Sequence, residues 1–161
     1  MREMPLRRRG FTIIELVVTL AIIGILASAA LPLAELAVKR NKESELRHAL
    51  REIRGAIDEY KKAISEGRVA RVADATGYLS SLDVLVAGVE DKKDPANKKI
   101  YFLRRIPRDP FHTEPDVSAI ESWGKRSYES PPDNPRSGKD VFDVFSLSEA
   151  TGINGVPYRE W

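Results

Sequence analysis

The apolar positions of this chain fall into three rhythms. From Phe11 to Leu31 nearly every residue is apolar or small, a run of 21 residues. As a helix it would span about 31 Å at 1.5 Å per residue, close to the ~30 Å hydrocarbon core of a bilayer. Beyond Pro32 the rhythm changes. Leu46, Leu50, Ile53, Ile57, Tyr60 and Ile64 recur at spacings of four and three, with Arg47, Glu52, Arg54, Asp58, Glu59, Lys61 and Lys62 between them. That period gathers the apolar residues on one face of a helix and the charges on the other. Gly67 stands where such a helix would stop. Together the two stretches predict one continuous helix from about Thr12 to Glu66, roughly 80 Å long. Its apolar stripe should bury itself against the domain that follows.

The rest of the chain is punctuated more closely. Tyr78, Leu79, Leu82, Leu85 and Val86 share one side of a short helix predicted over 74–87, with Gly88 as its stop. Residues 89–99 read as a charged, solvated loop. Prolines at 107, 110, 115, 131, 132, 135 and 157 then leave room only for short strands, expected at 99–103, 122–129 and 141–145. The last has apolar side chains on both sides and predicts burial on both faces. The expected fold class is α+β: one long N-terminal helix packed on a small antiparallel sheet.

One residue breaks the first rhythm. Glu15 lies inside the apolar run, where a carboxylate costs roughly 2.5–3.5 kcal/mol on membrane-insertion scales. A segment that only anchors would not carry it, so Glu15 predicts a partner. Arg2, Arg7, Arg8 and Arg9 precede the run and place that end in the cytoplasm by the positive-inside rule; Lys39, Arg40 and Lys42 oppose this from further away. Gly24, Ala27, Ser28, Ala29 and Ala30 are small enough for close helix approach, or are ordinary residues of any membrane segment. Pro32 cannot donate to the Ser28 carbonyl and predicts a kink. An alternative is a cleaved secretory signal, with Ala27-Ser28-Ala29 as its A-x-A site. Against it stand Glu15 within the apolar stretch and a helical pattern that continues past the site.

Charge narrows the classes further. The chain holds 26 basic and 24 acidic residues. Taking away the four arginines and one glutamate of residues 1–10 leaves 22 basic and 23 acidic. The basic character therefore belongs to the first ten residues, which weakens a nucleic-acid reading, since that needs a basic face on the folded part. There is no cysteine, hence no disulfide and no thiolate chemistry. About 130 residues remain outside the leader and the apolar segment, enough for one small core.

The stretch Arg7-Arg8-Arg9-Gly10-Phe11-Thr12-Ile13-Ile14-Glu15-Leu16 resembles the class III signal of type IV pilins and pseudopilins: a basic leader, a glycine, an aromatic, and a glutamate at the fifth position after the cut. Tyr101-Phe102-Leu103-Arg104-Arg105-Ile106-Pro107-Arg108-Asp109-Pro110-Phe111 is similar to the "leucine–proline–x–aspartate–proline–aromatic" segment of the G-type major pseudopilins of type II secretion. The segment from Asp140 to Ser148 and the ending Tyr158-Arg159-Glu160-Trp161 look like the same group.

The resemblance implies four parts: a leader, 1–10; a transmembrane helix, 11–31; an amphipathic half of the long helix, 32–67; and a periplasmic globular part, 68–161. It implies that a prepilin peptidase cuts between Gly10 and Phe11 and methylates the Phe11 amine. It implies a single-pass inner-membrane protein that polymerises with itself into a periplasmic fibre driving protein export. Glu15 would meet the Phe11 ammonium of a neighbouring subunit, and the stretch before Pro32 would be able to lose helicity on packing. Minor pseudopilins and an inner-membrane assembly platform are the further partners it implies. A type IV pilus subunit for motility, adhesion or DNA uptake shares the N-terminal signature and stays as the near alternative; a signal-anchored or secreted periplasmic protein is the distant one.

The G-type resemblance also implies a calcium ion near the C terminus, for which the available oxygens are Asp140, Asp143, Ser146, Ser148, Glu149 and Asn154. The paired aspartates expected after the serine are missing here, and a turn-rich segment without metal is the alternative. No enzyme motif is present: no phosphate-binding loop, dinucleotide fingerprint or HExxH. His48 and His112 are isolated and expected at the surface, and carboxylates such as Glu43 pair with basic residues one turn on, here Arg47.

Overall fold

A computed structural model describes residues 10–71, 76–96 and 98–161. Residues 1–9 of the leader, with their arginines, lie outside the described residues, as do 74 and 75 of the second predicted helix. The chain divides into two compact units, one ending at Lys39 and one running from Arg40 to Trp161.

The first unit is helix. Helix α1, Ile13–Ser65, begins here and continues through Pro32 as helix. Thr12 caps it: its hydroxyl accepts from the Glu15 amide at 3.3 Å, and its carbonyl accepts from the Leu16 amide at 3.2 Å. Farther along, the hydroxyls of Thr19 and Ser28 donate to the carbonyls of Leu16 and Ile25, each at 2.8 Å. These polar groups are thus satisfied inside the helix, as a lipid environment demands. Large apolar side chains from Phe11 to Leu33 are open on all sides; Ile13, Ile14, Ile25 and Leu31 are examples. Among the described residues this is the one stretch long and apolar enough to cross a membrane, and none of it is buried.

The second unit is built around the C-terminal half of α1. Leu46, Leu50, Ile53, Ile57 and Tyr60 are buried as the stripe predicts, while Ile64 at its end is only partly covered. Ala49, Ala56 and Ala63 are buried beside them, and their small size lets the following chain approach the helix closely. The helix ends in a Schellman turn. Gly67 sits at φ +71°, its amide bonds the Ile64 carbonyl at 2.9 Å, and the Arg68 amide reaches the Ala63 carbonyl at 2.9 Å.

The second helix, α2 (Asp83–Ala87), is shorter than the periodicity over 74–87 predicts. Gly77 at φ +82° breaks the approach to it. Leu79 bridges Val141 in extended conformation. The Ser81 hydroxyl accepts from the Asp83 amide and so starts the helix late. Leu79, Leu82 and Leu85 still reach the core, by two different backbone geometries.

Two antiparallel ribbons replace the single sheet. The first pairs β1 (Val89–Glu90) with β2 (Lys99–Ile100); the second pairs β3 (Trp123–Arg126) with β4 (Asp143–Ser146). Lys125 faces Val144 in the register of the second. Residues 101–103 leave the strand predicted for them, because the amides of Phe102 and Leu103 both bond the Leu85 carbonyl. The expected two-sided burial of 141–145 is also corrected. Val144 and Ser146 are buried on one face, while Asp143 and Phe145 are half-buried on the other. Gly124 makes room for Phe145, whose ring would lie 2.3 Å from a Cβ at that position. A 3-10 turn, Tyr158–Glu160, follows, with Tyr158 fully buried.

The segment between the first ribbon's strands is only partly the solvated loop expected. Asp91 is buried and takes a forked contact from Arg68, Nε at 3.0 Å and Nη2 at 2.6 Å. That bond holds the Asp91 carboxyl below the usual carboxylate range.

Candidate functional site

Gly10, Phe11 and Thr12 precede the first helical residue. Gly10 is exposed with no atom near the position of a Cβ, and Phe11 is 73 % exposed. The Gly10–Phe11 bond therefore lies in irregular, accessible chain, the form a peptidase can engage. Glu15 is the third residue of α1 and exposed, and among the described residues its carboxylate meets no cation. At that position a carboxylate also faces the positive end of the helix dipole. The residues between Gly24 and Pro32 are helical throughout.

The six oxygen-bearing residues near the C terminus are not gathered into one cage. Asp140 is buried and accepts from three donors: the Thr76 hydroxyl, the Ser127 hydroxyl at 2.5 Å and the Tyr128 amide at 3.0 Å. Burial alone would push its carboxyl up, but these donors outweigh it and hold it below its ordinary value. Asp143 is taken by two guanidiniums, Arg54 Nε at 2.8 Å and Arg126 Nη2 at 3.4 Å. Ser146 projects from the opposite face of β4, as residues three apart in a strand must. Its hydroxyl donates to Asp109 Oδ2 at 2.5 Å. The Ser148 hydroxyl accepts from the Ala150 amide at 3.3 Å, and Asn154 Oδ1 from the Val156 amide at 3.1 Å. Glu149 is exposed and makes no hydrogen bond or ion pair among the described residues. No group of three or more His, Asp or Glu side chains able to hold a metal occurs among the described residues. The donor set does not fit a calcium ion, which takes six to eight free oxygens.

What the C-terminal segment meets instead was hidden by the helical period. Glu43 lies one turn before Leu46 on the buried face and is only 4 % exposed. It accepts from the Ile153 amide at 2.7 Å and the Tyr158 hydroxyl at 3.0 Å. The expected Arg47 contact exists but is long, 3.9 Å, and Arg47 spends its flat face on Trp161, 4.7 Å away. Burial, then the bond to Glu43, pushes the Tyr158 hydroxyl up to about 12. Three turns along the helix, Arg54 Nη2 donates to the carbonyls of Val144 at 3.0 Å and Trp161 at 2.7 Å.

The aspartate–proline–aromatic segment serves the same end. Asp109 Oδ1 accepts from the Phe111 amide at 2.8 Å, closing a turn, while its other oxygen holds Ser146. Phe111 then stacks on Tyr158 with centroids 4.0 Å apart. His48 is exposed near Glu52, as expected; His112 differs, its Nε2 being buried and unbonded among the described residues.

Residues 5–31 match the family described as "Prokaryotic N-terminal methylation motif". Two proteins named "Type II secretion system core protein G" are similar over nearly the whole chain. The one from Pectobacterium carotovorum subsp. carotovorum is 31 % identical, covering 96 % of this chain and 81 % of its own. The one from Klebsiella pneumoniae is 27 % identical, covering 94 % and 89 %. "Fimbrial protein EcpC" of Eikenella corrodens is 45 % identical, but over 50 % of this chain and 57 % of its own. No solved structure gives a significant match.

Proposed function

The chain belongs to the family of the type II secretion system core protein G, and from that premise we propose how its two ends do the work of a pseudopilus subunit. It is a structural subunit of the secretion pseudopilus, anchored by the apolar part of α1 and assembled with other secretion components. The similarity to the core G proteins extends through the C-terminal third, whereas the fimbrial similarity covers half the chain. That difference favours secretion over a pilus.

Prepilin peptidase cuts the accessible Gly10–Phe11 bond and methylates the Phe11 amine. The first residues then sit one turn ahead of Glu15. In the fibre the Glu15 carboxylate neutralises the Phe11 ammonium of the neighbouring subunit. Each charge alone is poorly solvated among apolar helices, so a subunit out of register leaves both unpaired. The contact is head-to-tail and does not close on itself, which is the geometry of filaments. The Arg40–Trp161 unit faces the periplasm. The chain carries no catalysis of its own and works through its partners: copies of itself, minor pseudopilins, the peptidase and the inner-membrane assembly platform.

The observation that supports this most directly is the open apolar helix beginning just after Gly10-Phe11 with one carboxylate in its first turn. The test is intact mass and N-terminal sequencing of the protein extracted from membranes that contain a prepilin peptidase. A chain beginning at methyl-Phe11 is expected. A chain beginning at Ala30 would mean a secreted soluble product and would overturn the reading.

A further inference from the structure

We infer that residues 140–161 of this chain are fastened by side chains of its own helix and turn, and that their fold is independent of a divalent cation. Three anchors carry the segment. Glu43 holds the Ile153 amide and the Tyr158 hydroxyl. Arg54 holds Asp143 and the carbonyls of Val144 and Trp161. Asp109 holds the Ser146 hydroxyl.

The chemistry of these anchors is the chemistry a metal would otherwise supply. A cation organises such a segment by drawing carboxylates and carbonyls to one positive centre. Arg54 does this here: one guanidinium gathers the Asp143 carboxylate, the adjoining Val144 carbonyl and the Trp161 carbonyl 17 residues on. Its planar fork and permanent charge suit that task. A second guanidinium, Arg126, also reaches Asp143. An ion approaching this carboxylate would meet two fixed positive charges and oxygens already committed. Glu43 completes the clamp from the same helix by accepting from the loop 152–156, whose amides a metal site would turn away from its centre.

The loop itself is closed by its own backbone. The Gly152 amide bonds the Val156 carbonyl at 2.9 Å, and the Gly155 amide bonds the Gly152 carbonyl at 3.0 Å. Gly155 takes φ +81°, which the turn requires. Gly152 is packed so closely that a Cβ would lie 2.6 Å from both Asn154 Oδ1 and the Trp161 ring. The Asn154 Oδ1 is thus spent on closing its own turn, where it accepts from the Val156 amide.

The test uses the full chain in detergent micelles. Its unfolding midpoint is followed by tryptophan fluorescence in a chelator and in excess calcium chloride, and hydrogen exchange is measured on peptides covering 147–161. Equal midpoints, within about 1 °C, and equal protection of the Ile153 region are expected. A cation that bound only the folded form, at a hundredfold excess over its dissociation constant, would raise the midpoint by roughly 10 °C. Such a rise, or protection that disappears in the chelator, would overturn the inference. Glu43→Gln and Arg54→Lys should each speed exchange across 147–161 in both media, and calcium should restore neither. Restoration by calcium would equally overturn it.

Discussion

Arg54 Nε donates to Asp143 Oδ1 at 2.8 Å, and through this bond the C-terminal half of α1 is tied to the start of β4, 89 residues later. The same guanidinium reaches the carbonyls of Val144 and Trp161, so one side chain serves three acceptors. Arg54→Ala removes all three bonds. Hydrogen bonds to charged groups are worth about 1.5–3 kcal/mol, and the half-open setting of this pair puts the loss near the lower end. An unfolding midpoint lower by roughly 5 °C is expected from a thermal melt. Arg54→Lys keeps the charge but not the fork and should recover less than half of that loss. Full recovery by lysine would mean that charge alone matters here.

Arg54 also shows what the sequence conceals. The apolar stripe, the stop at Gly67 and the long N-terminal helix follow from local periodicity and glycine chemistry, and they are legible before any fold is known. Arg54 and Glu43 have no such signal. Each looks like one more charge on an amphipathic helix, and Glu43 had an obvious partner in Arg47. Only the return of the chain, more than a hundred residues later for Glu43, makes it a core residue. The same holds for Leu79. Its apolar spacing with Leu82 and Leu85 fits a helix, but pairing with Val141 wins over a local preference weakened by Gly77. The six oxygens offered for calcium share a stretch of sequence, yet strand alternation sends Asp143 and Ser146 to opposite faces. The N-terminal signature was legible because its chemistry is local: a glycine, an accessible bond and a carboxylate one turn into the helix.

Tyr158 makes the alkaline limit of stability specific. Its hydroxyl titrates from an ordinary value of 10.0 up to about 12 in the folded chain. The folded state thus holds this proton more tightly than the unfolded state does. The resulting stabilisation is fully present below pH 10 and is lost as pH rises toward 12. Thermal melts across that window should show a falling midpoint for the native chain. Tyr158→Phe should be less stable at neutral pH, because Glu43 loses a donor, and its midpoint should fall less steeply between those limits. An identical alkaline slope in the two proteins would show that Tyr158 is not the group responsible.

Gly124 and Phe145 face each other across the second ribbon. A methyl group at Gly124 would press into the Phe145 ring at 2.3 Å. Overpacking of this kind costs typically 1–3 kcal/mol, so Gly124→Ala should lower the midpoint by several degrees. The companion change Phe145→Leu should restore part of it by withdrawing the ring. A neutral Gly124→Ala would mean that the half-buried ring swings aside freely.

The N-terminal segment separates processing from assembly, and two substitutions distinguish them. Gly10 precedes the helix with open space about its α-carbon. The structure of this chain therefore tolerates a side chain there, and any effect must come from the enzyme that reads it. Gly10→Leu should leave the chain folded and membrane-bound but uncut, seen as the full-length mass in membrane extracts. Glu15→Val acts one step later. It removes a charge that costs roughly 2.5–3.5 kcal/mol at bilayer depth, so insertion should be at least as efficient, and the bond at Gly10 should still be cut. What should be lost is fibre formation, read by shearing or electron microscopy of overproducing cells, because the neighbour's Phe11 ammonium then has no counter-ion. Co-production with the native subunit sharpens the outcome. A polymer that needs the pair at every step should be capped or shortened by the valine variant in proportion to its share. Fibres of normal length made from Glu15→Val alone would remove the register role from Glu15 and leave it as a residue of the first helical turn.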